Sequence, residues 1–139
     1  MRLDPLTPGQ VIDHWEQLQG FVLQMERRFP DDWNVPHFVA QVEQKLLKAW
    51  IAHDEGKTYA LVGTELRLKP SGRLFLMVTF AAGKEHEKWT KGGMATLEEY
   101  AREQGCSTVE VYGRSGWAKE LTGFRKLQID ILRKELASG

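Results

Sequence analysis

Apolar residues return at alternating steps of four and three along Val11, Trp15, Leu18, Val22, Met25 and Phe29. That spacing places them on one face of an amphipathic helix. Thr7, Pro8 and Gln10 supply an N-cap, a proline at the first helical position and a capping-box partner. Gly20 falls inside the stripe and costs about 1 kcal/mol relative to alanine, so a bend or break is expected there. Pro30 ends the run. After DDWN, Asn34 is expected to cap a second helix reaching about Gln44, with Val35, Phe38, Val39 and Val42 facing inward.

The period then changes from helical to alternating. LLKAWIAHD reads as a strand, EGK as a turn, TYALVGTELRLK as a long strand, PSG as a turn and RLFLMVTFAAG as a strand. Strict alternation puts Phe75, Met77 and Thr79 on one face of the last of these, and Leu74, Leu76, Val78 and Phe80 on the other. A strand apolar on both faces is expected at the centre of a covered sheet. Short turns between the three strands predict an antiparallel meander.

Beyond the polar loop KEHEK, a helix containing Trp89, Leu97, Tyr100 and Ala101 is expected to close at Gly105. STVEVYG then reads as a strand and GRSGWAKELTGF as a tight connection with a turn or two of helix. KLQIDILRKEL reads as a closing strand with Leu127, Ile129 and Ile131 on one face. A short opening strand fits Arg2–Leu6. The order predicts a single α/β (α+β) domain over residues 1–139, with a mixed, mainly antiparallel twisted sheet of about six strands and helices on both faces.

Composition narrows the partners. With 42% hydrophobic and 27% charged residues in 139, the chain lies in the globular range. Nineteen Lys and Arg balance nineteen Asp and Glu, which argues against nucleic acid as a ligand. No apolar run approaches the ~20 residues of a membrane span, and MRLDPLTPGQ lacks a secretory core. A single cysteine, Cys106, fits a reducing compartment and is expected as a small buried hydrophobe. A soluble, cytoplasmic protein is the expectation. His14, His37, His53 and His86 have no metal-ligand spacing, so no metal is expected.

Four segments carry a resemblance: VTFAAG, the helix ending LEEYAREQGC, STVEVYGRSGW with LTGF, and a closing strand running into RKEL. With the element order, which matches over nearly the whole chain, they resemble the GNAT superfamily of acetyl-CoA-dependent N-acyltransferases. They look most like its small members encoded in bacteriophage and prophage genomes. The resemblance implies acetyl-CoA as cofactor and an amine as substrate, with a splayed central strand at Val78, Phe80, Ala81, Ala82 and Gly83 gripping the pantetheine arm. It also implies a pyrophosphate loop opening a helix, for which the chain offers Lys88, Lys91, Gly92 and Gly93 in KWTKGGMA. The family spacing there is altered, since Lys91 or Trp89 takes the place of a motif residue. Lys119 stands where active members commonly carry a tyrosine acid.

Each candidate has a plainer reading. The KWTKGGMA segment is either a diverged phosphate cradle or a basic turn with Trp89 as core anchor. Glu65, expected on one face with Tyr59, Leu61 and Gly63, is either an acceptor for an amine proton or an exposed strand carboxylate. Arg114 and Trp117 in GRSGW are either an anion grip and a partner anchor or parts of a tight reversal. Two function classes stay open: an N-acetyltransferase, or a catalytically idle GNAT-like protein of the virion or its assembly, bound to phage structural proteins or to itself.

Overall fold

The computed structural model describes residues 2–112, 121, 123–125 and 134–136. Strand β1 (Arg2–Leu6) hands over to helix α1 (Pro8–Asp13) at Thr7. The Thr7 hydroxyl accepts from the Gln10 amide at 3.1 Å, and the Thr7 amide donates to Gln10 Oε1 at 2.8 Å. The expected capping box is therefore complete. Helix α2 (Trp15–Arg28) follows a break at His14, and Gly20 stays helical. A Cβ at Gly20 would meet nothing within 4 Å. The glycine thus sits in open space, and its propensity cost does not interrupt a helix anchored by buried Leu18, Val22 and Met25. Asn34 Oδ1 caps α3 (Val35–Glu43) through the His37 amide at 2.8 Å.

Strands β2 (Lys48–Asp54), β3 (Lys57–Leu68) and β4 (Leu74–Gly83) form the expected antiparallel meander. Helix α4 (His86–Glu103) then crosses over to β5 (Thr108–Val111), which lies parallel to β4. The spatial order is β1-β2-β3-β4-β5, five strands among the described residues against about six expected. The connection at 113–120 and residues 126–133 of the expected closing strand lie outside the described residues.

Two buried clusters sandwich the sheet. Leu18, Val22, Phe38, Leu61 and Phe80 pack on the side of α2 and α3. Leu3, Trp50, Val62, Leu76, Val78, Trp89 and Leu97 pack on the side of α4. Strict alternation groups Phe80 with Leu76 and Val78, and the structure separates them. Gly63 pairs with Phe80 but Thr64 pairs with Val78, so Thr79 is an extra residue in β4. Such a bulge shifts the alternation by one and turns the following side chains to the opposite face. A second bulge pairs Ala52 with Ala60 and His53 with Thr58, leaving Tyr59 over. Tyr59 packs against the α4 cluster, whereas Leu61 lies in the opposite one.

Candidate functional site

The bulge at Thr79 also marks where β4 loses a neighbour. Phe75 to Val78 pair with Thr108 to Val111, and the Tyr112 amide donates to the Val78 carbonyl at 3.0 Å. Phe80 to Gly83 pair with β3 and, among the described residues, with nothing on the other edge. That edge presents main-chain donors and acceptors in the region where the resemblance places the splayed strand. The Thr79 hydroxyl oxygen is buried and has no hydrogen-bond partner among the described residues. A buried orphan hydroxyl costs about 1–3 kcal/mol.

Small residues line this stretch for reasons of packing. A Cβ at Gly83 would collide with the Tyr59 carbonyl oxygen and with Ala60 Cα, so only glycine lets β4 close against β3 there. Ala82 is buried beneath α2 and α3, and Ala81 is half-buried.

From Gly83 the chain turns directly into α4. The Lys84 amide donates to the Tyr59 carbonyl at 3.0 Å, and the indole N–H of buried Trp89 donates to the Lys84 carbonyl at 3.0 Å. Glu85, in the left-handed region with φ 52°, is the N-cap of α4 and makes no side-chain cap. Its carboxylate instead takes Lys88 Nζ at 2.7 Å and Lys57 Nζ at 3.6 Å. The hydrogen bond from Lys88 holds the Glu85 carboxyl below its usual range, and the same bond pushes the Lys88 ammonium up. Both lysines lie over the Tyr59 ring, at 4.7 Å for Lys57 and 5.8 Å for Lys88.

Lys91, Gly92 and Gly93 do not open this helix; they lie within it. Lys91 and Gly92 are on its exposed face. Gly93 is buried against β1, with Leu3 and Trp89 each 3.6 Å from where its Cβ would be, an ordinary packing distance. The helix start is the turn beginning at His86, where the Lys88 amide donates to the Glu85 carbonyl at 2.9 Å. Lys88 alone of the four candidate loop residues is in that first turn.

Glu65 is not brought to the open edge of β4. It pairs with Arg67 at 3.1 Å and lines a separate basin that includes none of residues 79–83. Arg114 and Trp117, with Lys119, lie outside the described residues. Cys106 is half-buried, and burial pushes its thiol up, away from the reactive thiolate. Among the described residues no group of three or more His, Cys, Asp or Glu side chains could hold a metal, and no helix is long and apolar enough to cross a membrane.

Sequence reasoning passed over Thr79, Lys57 and Glu85. A lone threonine amid VTFAA was a usable signal, because a polar residue that breaks an apolar run often marks a bulge. The Lys57–Glu85 pairing joins elements far apart in sequence and left no local trace.

No family model matches the chain, and no curated protein matches its sequence. Its backbone is nevertheless similar to known structures. A probable acetyltransferase superposes with a TM-score of 0.70 at 15% identity, covering 100% of both chains. An aminoglycoside N-acetyltransferase in complex with CoA gives 0.69 at 13% identity, over 96% of this chain and 93% of that one. A ribosomal-protein-alanine N-acetyltransferase from Brucella melitensis biovar Abortus 2308 gives 0.68 at 13% identity, over 96% and 100%. With its helices, crossover and strand order, the chain has the fold of the GNAT acetyltransferases.

Proposed function

We propose that the chain is an acetyl-CoA-dependent N-acetyltransferase that takes the pantetheine arm along the edge of β4 that is open, among the described residues, beyond Val78 and as far as Gly83. The observation that carries the reading is the end of β4–β5 pairing at Val78 while β4 continues to Gly83. A pantetheine arm carries amides, and unpaired strand groups are suitable partners for them. The unpartnered Thr79 hydroxyl at the same point supports a polar ligand there.

The residues present fit the cofactor in part. Phe80, Ala81 and Ala82 offer backbone along the edge. The side chains of Lys84 and Lys88, at the start of α4, offer positive charge where a pyrophosphate would follow. Gly92 and Gly93 lie inside α4, away from its first turn, so this reading does not use them for phosphate. When bound, acetyl-CoA supplies an acetyl group already activated as a thioester. The chain's own work is to hold a neutral amine in line with that carbonyl and to exclude water, which provides most of the acceleration in reactions of this kind. Amine acceptors are the expected class, in keeping with the aminoglycoside and ribosomal-protein-alanine N-acetyltransferases of the same fold. The finer likeness to phage-encoded members rests on sequence alone, and no structural feature favours an idle virion protein.

The test is a thermal-shift titration with acetyl-CoA and CoA, followed by thiol release in the presence of an amine panel. At a hundredfold excess over the dissociation constant, binding adds about 2.7 kcal/mol, a shift of several degrees. No shift at millimolar ligand overturns the reading.

A further inference from the structure

β3 outruns β2. Their pairing begins at Lys48 with Thr64, so Glu65–Leu68 pair only with β4 among the described residues. Among the described residues the opposite edge of those four is open, and an open edge is a template for an added strand. Beside it lies a basin of about 600 Å³ between the β1–α1 junction at Pro5–Pro8, the α3–β2 turn and β3. That volume is within the ~300–1,000 Å³ of sites that hold small ligands or short segments.

The basin is apolar with a positive rim. Leu46 and Leu66 line it, 53% and 42% exposed. Arg67 is neutralised by Glu65, whereas Lys45 and Lys48 have no ion-pair partner among the described residues. Lys48 Nζ is held 5.6 Å from the Trp50 ring and 5.4 Å from the Tyr100 ring. Lys45 occupies the left-handed region at φ 60°, in the turn between α3 and β2.

We infer that this basin docks an extended peptide segment bearing a carboxylate, which adds as a strand to Glu65–Leu68 and sets its charge against Lys45 and Lys48. The open edge selects main-chain amides in an extended run, which a small organic acid cannot supply. The unpaired lysines select negative charge, and exposed Leu66 and Leu68 leave room for apolar side chains on the added strand. Four edge residues span about 13 Å, enough for a segment of about four residues. The carboxylate comes either from a chain terminus or from an acidic side chain. The site is separate from the open edge of β4, so its occupancy stands or falls independently of acetyl-CoA binding.

The experiment follows amide proton–nitrogen NMR signals of the full chain during titration with four probes. These are the tetrapeptide Ac-Thr-Val-Thr-Leu as free acid, the same peptide as C-terminal amide, Ac-Thr-Glu-Thr-Leu as C-terminal amide, and hexanoate. Saturable shifts at Leu46–Lys48 and Glu65–Leu68 with either acidic peptide, and much weaker ones with the neutral amide, are expected. The tighter acidic peptide identifies the source of the carboxylate. The Lys45→Glu/Lys48→Glu double variant, checked by its melting curve, should bind about tenfold more weakly. Equal binding of the neutral amide, an equal response to hexanoate, or no response to any probe at millimolar concentration overturns the inference. So does concentration-dependent broadening at Glu65–Leu68 without peptide, which would make a second copy the occupant.

Discussion

Gly63 stands directly opposite Phe80, and a Cβ at position 63 would lie 2.9 Å from that of Phe80 and 2.8 Å from Leu47 Cδ1. The adjoining pair, Thr64 with Val78, passes over Thr79. A missing side chain in β3 thus adjoins an extra residue in β4. Together they let Phe80 turn onto the helical layer, where its ring meets Trp33 edge-on at 5.0 Å and Phe38 at 5.1 Å. The bulge that reshapes the edge of β4 is therefore anchored from the core side.

Gly63→Ala should strain this anchor. The new methyl must displace Phe80 or Leu47, both almost wholly buried, and overpacking of this kind costs about 1–3 kcal/mol. Urea denaturation should show a lower midpoint with an unchanged slope. A loss below about 0.5 kcal/mol would mean that the bulge relaxes without cost.

Trp50 and Thr64 form a buried polar pair, with the indole N–H donating to the hydroxyl at 2.9 Å. Trp50→Phe or Thr64→Val leaves the other group unpartnered, at about 1–3 kcal/mol each. The double variant removes both, so its loss should fall short of the sum of the singles by about 1 kcal/mol or more. Strict additivity in denaturant titrations would show that the bond contributes nothing.

Local signals were readable wherever local physics decides. The capping box at Thr7 and Gln10, the Asn34 cap and the meander turns all depend on neighbours a few residues apart. Phe80 and Tyr59 were misplaced because a bulge is a contest between two strands, and the sequence of one strand does not contain its partner's register. Gly92 and Gly93 were ambiguous for a related reason. Adjacent glycines suit a phosphate turn or a helix interior equally, and only the helix start at His86, set by the turn after β4, puts them inside α4. The resemblance points to the end of β4 as a site, whereas Thr79 and Glu85 belong to no motif and have no comparable signal.

Glu85→Gln tests the electrostatics at the start of α4. The wild-type carboxyl is held below its usual range by Lys88, so its contribution to stability is present above the ordinary value of about 4.3 and fades as pH falls through the depressed one. The difference between wild type and variant should therefore be constant near neutrality and vanish in strong acid. At pH near 7, removing this anion leaves Lys57 and Lys88 free for phosphate, and CoA affinity should rise about two- to fivefold by calorimetry. Weaker CoA binding would place the pyrophosphate elsewhere.

Thr79→Val separates a structural role from a ligand-binding one. Valine keeps the branched shape of threonine and deletes a hydroxyl that is buried without a partner among the described residues. If the hydroxyl only fills space, relief of the orphan should raise stability by about 1 kcal/mol and leave CoA binding untouched. If it waits for a polar group of the cofactor, the same gain in stability should accompany about a two- to tenfold loss of acetyl-CoA affinity, the worth of one hydrogen bond. Thr79→Ser should then restore binding. Denaturation and calorimetry on the same preparations read the two effects separately, and the proposed use of this edge requires that they move in opposite directions.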